Sequence, residues 1–182
     1  MTTPRFLKLS KLLSLALRHD PSALGLELDD AGWASVGSVL AGLTQRHPEL
    51  AVTRAMLEEV VSSSDKQRFA LSSDNASIRA NQGHSVDIDL GLSPREPPTR
   101  LYHGTVDAVL EGIRSAGILR GARTHVHLSI DTETAARVAA RRRGPAVILV
   151  VRAGAMHADG HVFHLSDNGV WLTRHVPPQY VD

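Results

Sequence analysis

Eight residues divide this chain in two. Leu92 to Thr99 reads Leu-Ser-Pro-Arg-Glu-Pro-Pro-Thr. A proline fixes φ, removes a backbone donor and keeps the residue before it out of the helical region. With Pro94, Pro97 and Pro98 set among mixed charges and no hydrophobic period, neither a helix nor a central strand can run through the segment. The chain is therefore expected to fold as two pieces, 1–91 and 100–182, joined by a linker at 92–99. In a chain of 182 residues each piece lies at the lower end of the domain size range. A composition of 42% hydrophobic and 21% charged residues supplies two small cores with ordinary polar surfaces.

The first piece is patterned for helices. Thr3 can cap a helix with Pro4 at its first position, and Phe6, Leu9, Leu13, Ala16 and Leu17 then fall on one face. Arg18 and His19 end it ahead of Asp20-Pro21, where a cation is favoured by the exposed carbonyls and the helix dipole; capping alone accounts for the pair. The spacing predicts a short strand over 24–28 and a turn at Asp29-Asp30-Ala31-Gly32. Two further helices follow, one capped by Ser35 and running through Leu43, the other capped by Thr53 and running through Val61. Two strand-like runs, 67–71 and 77–81, flank the turn-rich Ser72-Ser73-Asp74-Asn75. Three helices and a β-hairpin form the pattern of a winged-helix module, a fold that often binds nucleic acid although the fold alone does not establish it. Lys66-Gln67-Arg68 and Arg79-Ala80-Asn81-Gln82-Gly83-His84-Ser85 gather donors suited to phosphates and base edges, or else form a solvated wing.

The second piece is patterned for strands. Arg100-Leu101-Tyr102-His103 reads as a strand, Gly104-Thr105 as a tight turn, and Val106 to Ser115 as a helix stopped by Gly117. A helix over 131–143 follows, with strands around 161–165 and 169–175. The apolar run Ala146 to Val151 is expected in the middle of the sheet. The chemistry is concentrated in Arg123-Thr124-His125-Val126-His127-Leu128-Ser129. Read as a strand, this segment sets Arg123, His125, His127 and Ser129 on one face and Thr124, Val126 and Leu128 on the other. A guanidinium is a bidentate phosphate ligand, an imidazole holds or moves a proton near neutral pH, and a hydroxyl orients a polar ligand group. The bland alternative is a half-exposed strand with a polar outer face. In His103-Gly104-Thr105 the glycine allows main-chain groups to approach a flat ligand, and His103 can hydrogen-bond a ribose hydroxyl.

What is missing narrows the chemistry. With no cysteine there is no disulfide, thiolate zinc site or cysteine nucleophile. His125-x-His127 with His161-x-x-His164 is a spacing that zinc can use, but no His-Glu-x-x-His motif or adjacent carboxylate accompanies it, and no metal is expected. The serine-hydrolase elbow and the phosphate-loop and Rossmann glycine fingerprints are absent. Aromatic residues, at 4%, are too few for a stacking platform along a single strand. Lys8, Ser10, Lys11 and Ser14 interrupt the N-terminal leucines, so the segment reads as an amphipathic helix rather than a signal peptide or membrane span, and a cytoplasmic protein is expected. The formal charge is +1, with 9 basic against 11 acidic residues in 1–90 and 11 against 8 in 91–182. No global field grips nucleic acid, so any RNA must be held by a few placed arginines.

Five segments, taken together, resemble the NAD-dependent RNA 2′-phosphotransferase family: Leu17-Arg18-His19, Asp65-Lys66-Gln67-Arg68-Phe69, Ile78 to Ser85, Leu101-Tyr102-His103-Gly104-Thr105, and Arg123 to Ser129. They stand in the family's order and span nearly the whole chain, and the Arg-Ala-Asn-Gln-Gly-His-Ser block is particularly specific. The resemblance implies an α+β protein in which an N-terminal winged-helix lobe and a C-terminal ADP-ribosyltransferase-like lobe flank the active site. It implies Arg18, His19, Arg68 and Arg123 as the catalytic set, and His103, Gly104, Thr105, His127 and Ser129 as NAD-binding residues. A third signature position, a glutamate in many protein-modifying relatives, is apolar here and falls near Val170. The implied substrates are NAD and a tRNA-like RNA carrying a 2′-phosphate, handled by a monomer. The implied products are 2′-hydroxyl RNA, nicotinamide and ADP-ribose 1″,2″-cyclic phosphate, by way of a 2′-phospho-ADP-ribosylated RNA. Two alternatives stay open: ADP-ribosylation of terminal nucleic-acid phosphates that stops after the first step, and a non-catalytic nucleic-acid-binding protein that senses NAD.

Overall fold

The computed structural model describes residues 4–63 and 67–182. The expected Thr3 cap and the Asp65-Lys66 part of the second motif lie outside the described residues. The chain divides into two compact units, Met1–Gly91 and Leu92–Asp182. Each combines helices with short antiparallel sheets, which makes the protein α+β.

In the first unit, α1 (Pro4–Arg18) buries Leu9, Leu13, Ala16 and Leu17 completely. α2 (Val36–Arg46) starts where Ser35 Oγ accepts from the Ser38 N–H, and α3 (Arg54–Ser62) where Thr53 Oγ1 accepts from the Met56 N–H, the two caps read from the sequence. β2 (Phe69–Leu71) and β3 (Ser77–Ala80) pair antiparallel. A third strand, β1 (Ala34–Ser35), joins the far side of β3; two residues carry no period, so nothing in the sequence marked it. The strand expected at 24–28 does not form. Pro21 instead starts a 3-10 turn ending at Leu24, Gly25 takes a left-handed φ of +66°, and Leu24 and Leu26 both enter the core. Proline and glycine punctuation outweighs the alternating leucines. α2 closes onto this turn at Gly42, where a Cβ would stand 2.1 Å from the Leu24 carbonyl oxygen.

In the second unit, β4 (Leu101–Val106) runs unbroken through Gly104-Thr105, antiparallel to β7 (Ala146–Val151), with His103 opposite Leu149. The turn expected at Gly104 is therefore a strand, and the glycine serves packing. α5 (Thr132–Ala139), capped by Asp131, lies so close that a Cβ on Gly104 would stand 1.9 Å from the Ala135 carbonyl oxygen. β7 is not in the middle of a sheet. β4 is its one partner strand among the described residues; on its other side Val151 bridges Val181 and Val150 exchanges backbone hydrogen bonds with Asp182, and Ile148 remains 37% exposed. β6 (Val126–Leu128), β9 (Trp171–Thr173) and β8 (His164–Leu165) form a three-stranded sheet, and β5 (Ile118–Leu119) pairs with β10 (His175–Val176). Tyr102 and Ser129 exchange backbone hydrogen bonds of 2.9 and 2.8 Å, which ties the end of β6 to β4. α4 (Leu110–Ala116) and α6 (Ala153–Ala158) complete the unit around Leu101, Leu128, Val151, Met156 and Phe163. The proline stretch runs along this unit, with the Arg95 N–H on the Phe163 carbonyl at 2.8 Å and the Gly154 N–H on the Thr99 carbonyl at 3.1 Å. Among the described residues no helix is long and apolar enough to cross a membrane.

Candidate active site

The first unit gathers Arg18, His19 and Arg68. Arg18 is the last residue of α1, and its guanidinium donates to the Arg68 carbonyl at 3.2 Å and lies 5.8 Å from the centre of the Phe69 ring. His19 follows on the exposed side, with Nδ1 2.9 Å from Ser85 Oγ. Arg68, half-buried, starts the strand side of the hairpin. The loop after β3 braces all three. The Asn81 N–H donates to the Arg68 carbonyl at 3.0 Å and Asn81 Nδ2 to the Gln67 carbonyl at 2.6 Å, holding Gln67 at a left-handed φ of +38°. The Ser85 N–H donates to the Arg18 carbonyl at 2.8 Å, and Gly83, at φ +91°, packs against the Arg18 guanidinium.

Parts of the Arg79 to Ser85 block therefore face inward, where the sequence suggested donors for phosphates and bases. Arg79 lies 4.6 Å over the Trp33 ring, with Nη1 3.4 Å from the Leu90 carbonyl. Asn81 and His84 are buried, His84 at 1% exposure. Burial, followed by the charges of Arg18, His19 and Arg79, lowers the His84 pKa to about 4, so this imidazole is neutral at physiological pH. The bracing roles of Asn81 and Ser85 were not legible beforehand. Both residues stand in the most specific motif, but a motif does not say which way its side chains point.

The second unit gathers His103, Arg123 and His127. His103 Nδ1 donates to the His127 carbonyl at 3.1 Å, which leaves Nε2 as the acceptor of a neutral ring. Burial holds that ring neutral, aided by the nearby Arg142 and Arg123 charges and opposed by the His127 carbonyl. Arg123 Nη1 lies 3.3 Å from His127 Nδ1; the guanidinium donates, so the His127 proton sits on Nε2. Arg123 stands on a turn closed by its own N–H on the Arg120 carbonyl at 3.3 Å, and the strand begins only at Val126. Its pKa is lowered by burial and then by Arg142 and Arg141, though a guanidinium stays charged at any working pH.

The expected polar face thus splits. Arg123 meets His127, while His125 turns to Thr124 Oγ1 at 3.1 Å and to the edge of the His164 ring at 5.9 Å. Ser129 is engaged through its main chain with Tyr102. Gly104 and Thr105 are buried beneath α5, and Thr105 is 1% exposed. Val170 is half-buried ahead of β9, and its N–H and carbonyl both bond to Ser166. Arg141 and Arg142 follow α5 and add charge to the set; their only sequence signal was a run of three arginines. Among the described residues no three His, Asp or Glu side chains are grouped to hold a metal ion. In chemical terms, the first unit offers guanidiniums and an exposed imidazole. The second offers a neutral acceptor nitrogen of the kind that receives a sugar hydroxyl, beside guanidiniums that suit phosphate.

Comparison with known proteins adds the following. The model of the RNA 2′-phosphotransferase, Tpt1/KptA family matches residues 4–175. A probable RNA 2′-phosphotransferase of Streptomyces griseus is 50% identical over 188 residues, covering 100% of this chain and 98% of its own. A probable RNA 2′-phosphotransferase of Rhodopirellula baltica is 49% identical over 173 residues, covering 94% of this chain and 92% of its own. One from Nostoc punctiforme is 46% identical, covering 100% of this chain and 98% of its own.

Proposed function

This chain belongs to the RNA 2′-phosphotransferase, Tpt1/KptA family, and from that premise we propose that it removes an internal 2′-phosphate from RNA by transferring it to NAD, a substrate consumed in the reaction. We read the first unit as a winged-helix lobe, on its three helices followed by a hairpin, and the second as an ADP-ribosyltransferase-like lobe, on its His103 and His127 positions.

In the first step an oxygen of the RNA 2′-phosphate bonds to C1″ of the nicotinamide ribose as the C1″–N bond breaks. Nicotinamide leaves as a neutral base because its ring nitrogen was already cationic. Arg18, Arg68 and Arg123 hold the phosphate dianion, and His103 Nε2 accepts from a ribose hydroxyl; positioning and charge complementarity supply the catalysis. In the second step O2″ bonds to phosphorus and the bond to the RNA 2′-oxygen breaks. That alkoxide is a poor leaving group, and the His19 imidazolium gives it a proton while the guanidiniums carry the charge on the remaining phosphate oxygens. The proton released from O2″ to solvent restores the imidazolium. The products are 2′-hydroxyl RNA and ADP-ribose 1″,2″-cyclic phosphate.

The single observation behind this assignment is the joining of Arg18 and His19 to Arg68: the Arg18 guanidinium donates to the Arg68 carbonyl, and the exposed His19 follows Arg18 at the end of α1. The test is to incubate the purified chain in EDTA with a short 2′-phosphorylated RNA, with and without NAD, and to identify all products by mass. Loss of one phosphate from the RNA only with NAD, in step with nicotinamide release, supports the reading. RNA that retains an ADP-ribose instead assigns chemistry that stops after the first step, and dependence on an added metal contradicts it.

A further inference from the structure

We infer that Ser85 is a positioning residue for His19: its hydroxyl donates to Nδ1 of the neutral ring, so that the ring's own proton sits on Nε2. Three features of the first unit carry this. Ser85 Oγ is 2.9 Å from His19 Nδ1, a normal hydrogen-bond distance. The competing acceptor, the Arg18 carbonyl, is 3.5 Å from the same hydroxyl and already receives the Ser85 N–H at 2.8 Å and the Val86 N–H at 3.4 Å. With that carbonyl occupied, the hydroxyl proton is best placed on the imidazole. The main-chain bond from Ser85 to Arg18 also holds the Oγ beside the end of α1, so the side chain needs no search to find the ring.

The same pair serves both states of His19. When the ring is a cation, Nδ1 carries a proton and donates to Oγ, and the exposed hydroxyl turns its own proton to solvent. Nδ1 is engaged in either case, which leaves Nε2 as the nitrogen that gives up and regains the proton in each turnover. A ring held by one nitrogen in both states does not have to reorient between accepting and donating, which is how an imidazole is kept productive as an acid. Ser85 acts through His19 and touches no reacting atom. Its main-chain N–H is a separate matter, since it caps α1 whatever the side chain.

That separation makes the inference testable, although its catalytic part rests on the proposed function above. Ser85→Ala removes the hydroxyl and keeps the main-chain bond, and Ser85→Thr restores a hydroxyl at an exposed position with room for a methyl. Two readouts are taken on the full chain. Long-range proton–nitrogen NMR at pH 8 reports the His19 tautomer, assigned by the signals lost in His19→Gln. Single-turnover kinetics with 2′-phosphorylated RNA and NAD report the ratio of ADP-ribosylated intermediate to final product. The expected result is an Nε2–H tautomer in the wild type, a mixture of tautomers in Ser85→Ala with the second step slowed roughly tenfold, the size of one lost hydrogen bond, and recovery of both in Ser85→Thr. A wild-type Nδ1–H tautomer, or a tautomer shift in Ser85→Ala with an unchanged ratio, overturns it. A tautomer shift in a chain that never consumes NAD supports the Ser85 brace and contradicts the proposed function instead.

Discussion

His127 joins the polar set of the second unit through two different atoms: its Nδ1 receives Arg123 at 3.3 Å, and its carbonyl receives His103 Nδ1 at 3.1 Å. One residue thus fixes the orientation of a guanidinium and the tautomer of a second histidine. Arg123→Lys tests the first half of that arrangement. Lysine keeps the charge but lacks the planar fork that donates to an imidazole and to a phosphate together. The KM for NAD or for RNA is expected to rise about tenfold while the fold is unchanged. Steady-state kinetics with each substrate varied in turn measures it, and wild-type constants in Arg123→Lys would show that charge alone is used.

Gly104 sets how closely α5 packs on β4. Its backbone needs no unusual φ, but a Cβ there would stand 1.9 Å from the Ala135 carbonyl oxygen and 3.0 Å from the Ala139 nitrogen, both main-chain atoms that yield little. Gly104→Ala is expected to cost about 3 kcal/mol or more and to shift His103 with its strand. The thermal melt of the variant, with NAD binding by calorimetry, checks both. A melt within a degree or two of the wild type would mean that the helix gives way more easily than its packing suggests.

His84 links stability of the first unit to pH. Its pKa of about 4 lies below the 6.5 of an ordinary imidazole, so the folded state holds fewer protons than the unfolded state between those values. The contribution is complete above about pH 6.5 and falls away as the pH drops toward 4, to a total of about 3 kcal/mol. The charges facing the ring are Arg18 and His19 from the end of α1 and Arg79 from β3. His84→Gln is expected to flatten the dependence of stability on pH across this window, whatever its effect at pH 8. Hydrogen exchange of the α1 amides across a urea series at several pH values measures it, and an unchanged slope would assign the dependence to another group.

Arg79 and Arg68 sit in the same hairpin and are expected to fail differently. Arg79 is held against Trp33 and the Leu90 carbonyl, so Arg79→Ala should destabilise the unit by about 1–2 kcal/mol with little change in how RNA affinity depends on salt. Arg68→Ala should instead weaken binding of 2′-phosphorylated RNA and lower its salt slope by about one. Filter binding over a salt series, beside a melt of each variant, separates the two; equal salt slopes would remove Arg68 from the phosphate site.

Helices and caps were the most legible part of this fold. Ser35 and Thr53 cap α2 and α3 because a side-chain oxygen beside a hydrophobic period has few other uses. β7 was legible from its apolar run, whereas β1 and β5, two residues each, carry no pattern that marks them. Gly104 misled because a glycine in a strand marks either a turn or a close neighbour, and the neighbour, α5, comes from thirty residues further along the chain. The candidate site divides in the same way. Arg18, His19, Arg68, Arg123, His103 and His127 were named by motif, and the structure adds what holds them. Ser85, Asn81 and the His127 carbonyl act through contacts over long sequence separations, which residue spacing does not encode.

In the reaction proposed above, phosphate leaves the RNA in two steps and His19 supplies the proton only in the second. This order is tested most directly by a single-turnover time course with RNA labelled at its 2′-phosphorus, excess NAD, and either the wild-type chain or His19→Ala. The label is expected to pass through a 2′-phospho-ADP-ribosylated RNA into ADP-ribose 1″,2″-cyclic phosphate in the wild type. In His19→Ala it should accumulate in the RNA-linked species, with nicotinamide released in about the same amount, because that base departs without a proton. Release of the label as inorganic phosphate, or an unchanged ratio of intermediate to product in His19→Ala, would contradict the account.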